Sequence, residues 1–446
     1  MTDDRNLREP LSFSFSTLDP PPVRSRTFAA LVDFPDYRKF YIGQGVSLIG
    51  TWLQEAAVSW IVYDMTKSAW MLGVVSAAGS MPGLFVGLYA GAVADRVSPK
   101  LMILAMQIAQ MICAFMLAIL VWLGIVQIWQ MALILAITRV CVTFEMPSRQ
   151  VFLYDLVGKN SLMNAIALNS GLFNASKIIG PALAGICLAK FGRTVCFTLN
   201  GVSYFAAIAA LLMIHRPHLA THLKPRAPGE WLAGLRHLGD DRHLAWLFLS
   251  MTFFGVVGMG YAALVPAYAR QVVGVGAYGY SVLLASSGVG ATIGALVLAS
   301  IGGFRRREWL VLGGMAMFGA SLAMCGAIPP MLISRGMRSA GLMAATLGMF
   351  GAGLGAIIFY ASTQTLIQTH VPDHLRGRVM GVWMIAFSGS VPLGSLWAGL
   401  LAATYGVAVV MEVSAALCVL VAILVAQSQM LTRGEAAKDI SLPDLR

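Results

Sequence analysis

What most constrains this chain is a succession of apolar runs, each about as long as a bilayer core is thick. The stretch "LMILAMQIAQMICAFMLAILVWLG", 101 to 124, has no charged side chain, and a helix needs about 20 apolar residues to cross the hydrocarbon. No water completes a backbone hydrogen bond there, so only helices or closed barrels can cross. The runs lack two-residue alternation and are about twice as long as barrel strands, which selects helices. Charged residues make up 11% of the chain, against roughly 25% in soluble domains. An all-α integral membrane fold follows.

Hydropathy places twelve spans at about 40–63, 69–94, 100–124, 127–145, 162–189, 194–214, 244–268, 278–303, 308–329, 340–362, 378–402 and 405–428. The one long hydrophilic connection, 215–243, separates a six-span half, 40–214, from a second, 244–428. Within it, 230–238 reads as a short amphipathic surface helix carrying Trp231, Leu232 and Leu235 on one face. Residues 1–39 contain no apolar signal-peptide core, and "DPPPVR" discourages a helix, so a disordered cytoplasmic lead-in is expected. Residues 429–446 read as a cytoplasmic tail. The six cysteines stand singly in apolar runs without metal-ligand spacing, as buried small hydrophobes do.

Lysines and arginines orient the spans. With both termini inside, inner segments hold about 23 basic residues and outer loops about 6. The net charge of +11 is therefore largely a topology signal, and nucleic-acid binding is not needed to explain it. The halves also resemble one another: "VGKNSLMNAIALNSGLFNASKIIGPALAG" aligns with "VPDHLRGRVMGVWMIAFSGSVPLGSLWAG", pairing Gly180 with Gly394 and Gly185 with Gly399. Two similar six-span halves around a basic loop are the organisation of repeat-built secondary transporters.

Over 34–429 the chain resembles the major facilitator superfamily. The most specific stretch is "GAVADRVSPK", in which Gly91, Asp95, Arg96 and Lys100 match the superfamily's cytoplasmic loop signature; Ser98 and Pro99 depart from it. The resemblance implies a cytoplasmic gate in which Asp95 docks on the start of span eleven at Arg376 and Arg378. Arg96 is then a candidate partner of Glu145, at the inner end of span four. "FEMPSRQVFLYDLV" and "VPDHLRGRVMGVW" are similar to the siderophore-exporter and drug-efflux branch. Gly180, Pro181 and Gly185 resemble the span-five signature of proton-antiporting exporters. Pro181 removes a backbone hydrogen bond there, and its small neighbours permit bending or close approach.

Ionisable groups inside spans are expensive and point inward. On a 100° wheel Gln44, Ser47, Thr51, Gln54, Glu55 and Ser59 of span one fall within an arc of about 140°. Glu55, Arg139 and Lys177 are the proton-coupling candidates; the same groups can equally contact substrate or form permanent pairs. Gln44, Thr51, Trp52, Gln54, Ser170 and Asn174 are candidates for the substrate cavity. Tyr261, Tyr268 and Tyr360 either stack on substrate or pack, and Glu412 faces either cavity or outer interface. No phosphate loop, H-E-x-x-H or G-x-S-x-G motif occurs, so the reading is a non-enzyme.

The expected protein is a monomeric secondary exporter in a bacterial cytoplasmic membrane. It works by proton antiport and alternating access on a siderophore or other amphiphilic small molecule, with no cofactor or metal. A proton-coupled uptake symporter and a lipid flippase are the alternatives.

Overall fold

The computed structural model describes residues 27–94, 96–214, 241–301 and 307–440. Asp95, the central connection with its expected surface helix, and both extreme ends lie outside the described residues. Ten described helices are long and apolar enough to cross a membrane. One of them, Ile128–Lys190, has 63 residues and would extend about 95 Å if straight, far more than one crossing needs. It bends at Gly158, whose φ of 68° and ψ of 175° suit only a residue without a Cβ. It therefore supplies spans four and five. Span one, Pro35–Thr66, is not among the ten, because its inner face carries Gln44, Ser47, Gln54 and Glu55. Among the described residues this arrangement is compatible with twelve crossings.

The remaining spans are Ala69–Ala94 (two), Pro99–Trp122 (three), Arg193–Leu212 (six), His243–Val273 (seven), Ala277–Ser300 (eight), Arg307–Ser334 (nine), Arg338–His370 (ten), Asp373–Tyr405 (eleven) and Val407–Ile440 (twelve). Three boundaries differ from expectation. The amino-terminal lead-in is helical at Ala29–Asp33 and from Pro35 onward. It is tied down by the Ala30 N–H donating to Asn164 and by the Tyr37 hydroxyl donating to the Ala165 carbonyl. Residues 146–157, read as a loop, continue the helix of span four. Phe152, Leu153, Leu156 and Val157 recur at helical spacing and bury against Tyr37, Phe40 and Ile103. Span twelve also runs on to Ile440.

One end of the bundle, here the terminal face, holds the start of span one and the end of span six. The other is the distal face. The halves meet along two seams in the distal part of the bundle, span two against eleven and span five against eight. A Cβ on Gly73 would stand 3.1 Å from the Gly399 Cα, and one on Gly185 would stand 3.3 Å from the Ala277 carbonyl. Only glycine lets the backbones approach so closely, which is how helices associate when lipid removes the hydrophobic drive. Gly185 and Gly399 are the two positions the internal repeat pairs, and each sits in the equivalent seam. Ser76 and Ser395 share a 2.9 Å hydrogen bond across one seam. Trp60 stacks on Tyr280 at 5.4 Å, and the Tyr280 hydroxyl donates to the Ala56 carbonyl across the interface. These contacts seal the distal side.

Span seven is irregular. After Arg242–Phe253 it winds as π-helix at Phe254–Gly258, as 3-10 helix at Met259–Leu264 and as π-helix again at Tyr268–Val273. Such segments are rare inside a helix and often mark functional positions.

Candidate functional site

The polar arc of span one divides between two directions. Its Gln54 edge turns into the amino-terminal half: the Asn200 amide donates to Gln54 at 2.9 Å, and Thr51 pairs with the Tyr204 hydroxyl at 3.3 Å. Tyr204 donates to Gln110, and Gln110 and Gln107 donate to Glu145 at 2.9 and 3.1 Å. Arg149 completes the Glu145 site from one turn along the same helix. Spans one, three, four and six thus share a buried polar chain in which Glu145 accepts from Arg149, Gln107 and Gln110, while the Gln107 carbonyl oxygen has no partner among the described residues.

The Glu55 edge faces the space between the halves. Arg139 on span four donates to Glu55 at 2.5 Å, and the two side chains are 46% and 33% exposed, so the pair borders space that protein does not fill. Glu55 lies about 17 Å along the helix from its distal end. Lys177 of span five holds its ammonium 5.5 Å above the Trp52 ring, a cation–π contact. Phe173, one turn earlier, meets the same ring edge-on at 5.5 Å. The Lys177 backbone adjoins Gly288 of span eight, placing the residue at the junction of the halves.

Several expected site residues serve elsewhere. Gln44 and Gln54 are 1% and 5% exposed and so line no open cavity; a carboxamide on that edge of span one is enclosed by its own half. Glu145 is held by Arg149 and two glutamines, not by Arg96, which is exposed; an arginine four residues away on the same helix reaches it first. Lys100 donates to the Ile214 carbonyl, capping span six. Arg376 donates to the Gln368 carbonyl at 3.0 Å, joining spans ten and eleven. Arg378 is half-buried beside it, and Asp95 lies outside the described residues, as do the surroundings of Gly91. Ser170 is exposed, and Asn174 donates back to its carbonyl at 2.9 Å. Gly180 packs on Trp52 and Leu53 with Pro181 buried beside it, so that this part of the span-five signature sets helix approach. Tyr261 and Tyr268 are core residues, the latter donating to the Cys325 carbonyl. Glu412 is exposed, against span nine at Gly326. All six cysteines are buried and free.

The carboxy-terminal half contributes a run of aromatic rings of which sequence reading named only Tyr360 and missed Trp383, Phe387 and Phe254. Trp383 stacks on Phe387 at 5.2 Å and 4°, Phe387 meets Tyr360 edge-on at 5.2 Å, and Tyr360 meets Phe254 of the first π segment at 5.2 Å. The Trp383 indole N–H, on a side chain 7% exposed, has no acceptor among the described residues. The available signal was the i, i+4 spacing of Trp383 and Phe387.

Residues 26–444 match the family model described as transmembrane secretion effector. The chain is 24% identical over 376 residues to macrolide efflux protein A of Streptococcus pyogenes, covering 83% of this chain and 90% of that protein. It is 22% identical over 374 residues to the staphyloferrin A transporter of Staphylococcus aureus, covering 82% and 90%. Among solved structures, the nucleoside transporter NupG superposes with a TM-score of 0.70 at 14% identity, covering 88% of this chain and 98% of that one.

Proposed function

This chain belongs to the transmembrane secretion effector family of major facilitator transporters, and from that premise we propose that it exports an amphiphilic small molecule by proton antiport. The membrane is the bacterial cytoplasmic (inner) one, the terminal face is cytoplasmic, and the working unit is a monomer. The substrate class is a siderophore or a drug-like secondary metabolite, in line with relatives named for a macrolide and for staphyloferrin A.

The observation that carries this reading is the Glu55–Arg139 pair, a carboxyl group held against a guanidinium within a span and beside unfilled space while the distal seams are closed. An ion pair needs Glu55 deprotonated, so the state sealed outside is the one in which the proton has left. Once the halves have opened distally, protonation from that side neutralises Glu55 and frees Arg139 from its counter-ion, and the pair re-forms when the distal side closes and the proton leaves toward the terminal face. A ligand shifts such an equilibrium only by binding its two states differently, and the proton does so here through the pair.

The test uses proteoliposomes with a macrolide and a carboxylate siderophore as alternative probes. Glu55→Gln protein should fold, lose pH-gradient-driven efflux and retain gradient-free exchange. Full gradient-driven efflux by that variant excludes Glu55 as the carrier. Deleting the protein under iron limitation separates the substrates: loss of a secreted chelator favours the siderophore, and drug sensitivity with unchanged secretion favours general efflux.

A further inference from the structure

The charges at the centre of the amino-terminal half do not cancel. Glu55 is taken by Arg139. Lys177 makes no hydrogen bond or ion pair among the described residues; its ammonium rests on the face of Trp52, one turn of span one from Glu55. One carboxylate thus stands between two cations, and the site keeps a surplus positive charge. Inside a membrane a cation without its own counter-ion is costly. A permanent structural lysine would have its own acceptor, as Lys100 has in the Ile214 carbonyl. The surroundings of Lys177 are apolar and flat instead: Trp52 below, with Phe173 bracing its edge. They lie at the junction with span eight, where both halves can touch one ligand.

We propose that Lys177 and Trp52 form the anchor for an anionic group of the exported molecule, and that the substrate is therefore an amphiphilic anion carrying its acidic group next to an apolar or aromatic body. The proposal rests on the export reading and narrows its substrate class. A carboxylate or sulfonate accepts from the Lys177 ammonium while its apolar neighbour covers the Trp52 ring, and the surplus charge is neutralised. A cationic amphiphile meets net repulsion from Arg139 and Lys177 and has only Glu55 to bind, at the expense of an existing pair.

The experiment titrates detergent-purified full-length protein with two probes of equal size and opposite charge, 2-naphthoate and 2-naphthylmethylammonium, near neutral pH. The expected result is a preference for the carboxylate of about tenfold, the scale of one hydrogen bond to a charged group. Lys177→Gln should abolish the preference and Lys177→Arg should retain most of it; Glu55→Gln should increase it. Equal binding of the two probes, absence of carboxylate binding at millimolar concentration, or a preference that survives Lys177→Gln in monodisperse protein each overturns the proposal. The titration has no gradient. Failed pH-driven efflux with intact anion preference overturns the antiport reading alone, and the reverse result overturns this one alone.

Discussion

The two halves share a plan and differ in chemistry. The amino-terminal half keeps charge and carboxamides in its interior: Glu55 with Arg139, Lys177 over Trp52, and Glu145 at the head of a chain that reaches Thr51. The carboxy-terminal half holds rings: Trp383, Phe387, Tyr360 and Phe254, the last on a span seven that departs from α-helical winding in three segments. The seams are nearly interchangeable, Gly185 against Ala277 and Ser281 in one and Gly399 against Ala69 and Gly73 in the other. The surfaces where the halves close are therefore alike, while the interiors differ. Charged and carboxamide side chains are concentrated in one half, and aromatic rings in the other.

The comparison breaks most severely at the shared part. Leucine at Gly73 would drive into span eleven at Ser395 and Gly399. Transport should fall to background alike in Gly73→Leu, in the seam of spans two and eleven, and in Gly185→Leu, in the seam of spans five and eight, and cysteine crosslinking between positions 76 and 395 should disappear in the first. Loss in only one of them would show that the seams are not equivalent.

Next in size is the buried chain. Glu145→Ala strands Arg149 and two glutamine amides, and removing one member of a buried pair costs about 3–5 kcal/mol. The apparent melting temperature in detergent should drop sharply. Trp383→Phe, in the aromatic half, should leave stability nearly unchanged, because it keeps the ring contact with Phe387 and removes an indole N–H that has no acceptor among the described residues. A large stability loss in Trp383→Phe would erase the division between the halves.

A smaller effect concerns Tyr280→Phe, which removes only the hydrogen bond to the Ala56 carbonyl. About 1 kcal/mol should leave the sealed state, read as increased distal access of a thiol reagent to cysteine placed at position 56. The smallest involves Asp64, in the last turn of the Pro35–Thr66 helix and just beyond the apolar run 40–63 that crosses the membrane. Its hydrogen bond from Lys67, with the charges of Lys67, Arg193 and Arg270, holds its carboxyl below the ordinary value. A depressed folded-state pKa gives stability that is present above the unfolded pKa and is lost as pH falls through the folded one. Asp64→Asn should therefore cost at most about 1 kcal/mol at neutral pH, as exposed pairs do. The difference from the parent should vanish under strongly acidic conditions.

The spans were legible because a bilayer imposes their length, and the polar arc of span one because intramembrane polarity must turn inward. How the arc divides was not legible. Gln54 and Glu55 are adjacent in sequence, yet one meets Asn200 on span six and the other Arg139 on span four. Only the position of neighbouring helices decides between them. The partners of Glu145 did leave a trace, since Gln107 and Gln110 share a face of an otherwise apolar span and Arg149 follows at i+4. The helix over 146–157 was obscured by its charges and Pro147, although Phe152, Leu153, Leu156 and Val157 already spelled its buried side.

The irregular winding of span seven has a mechanical consequence. A π turn holds more residues than an α turn and a 3-10 turn fewer, so Phe254–Gly258 and Tyr268–Val273 are underwound while Met259–Leu264 between them is overwound. The two departures oppose each other in torsion. Converting a turn of one kind into the other swivels the middle of the rod, with Tyr261 on it, about the span's own axis. The hydrogen bonds are exchanged rather than discarded, so the ends stay where they are. Span seven is built as a swivel, whereas span one, wound evenly from Pro35 to Thr66, can turn only as a whole.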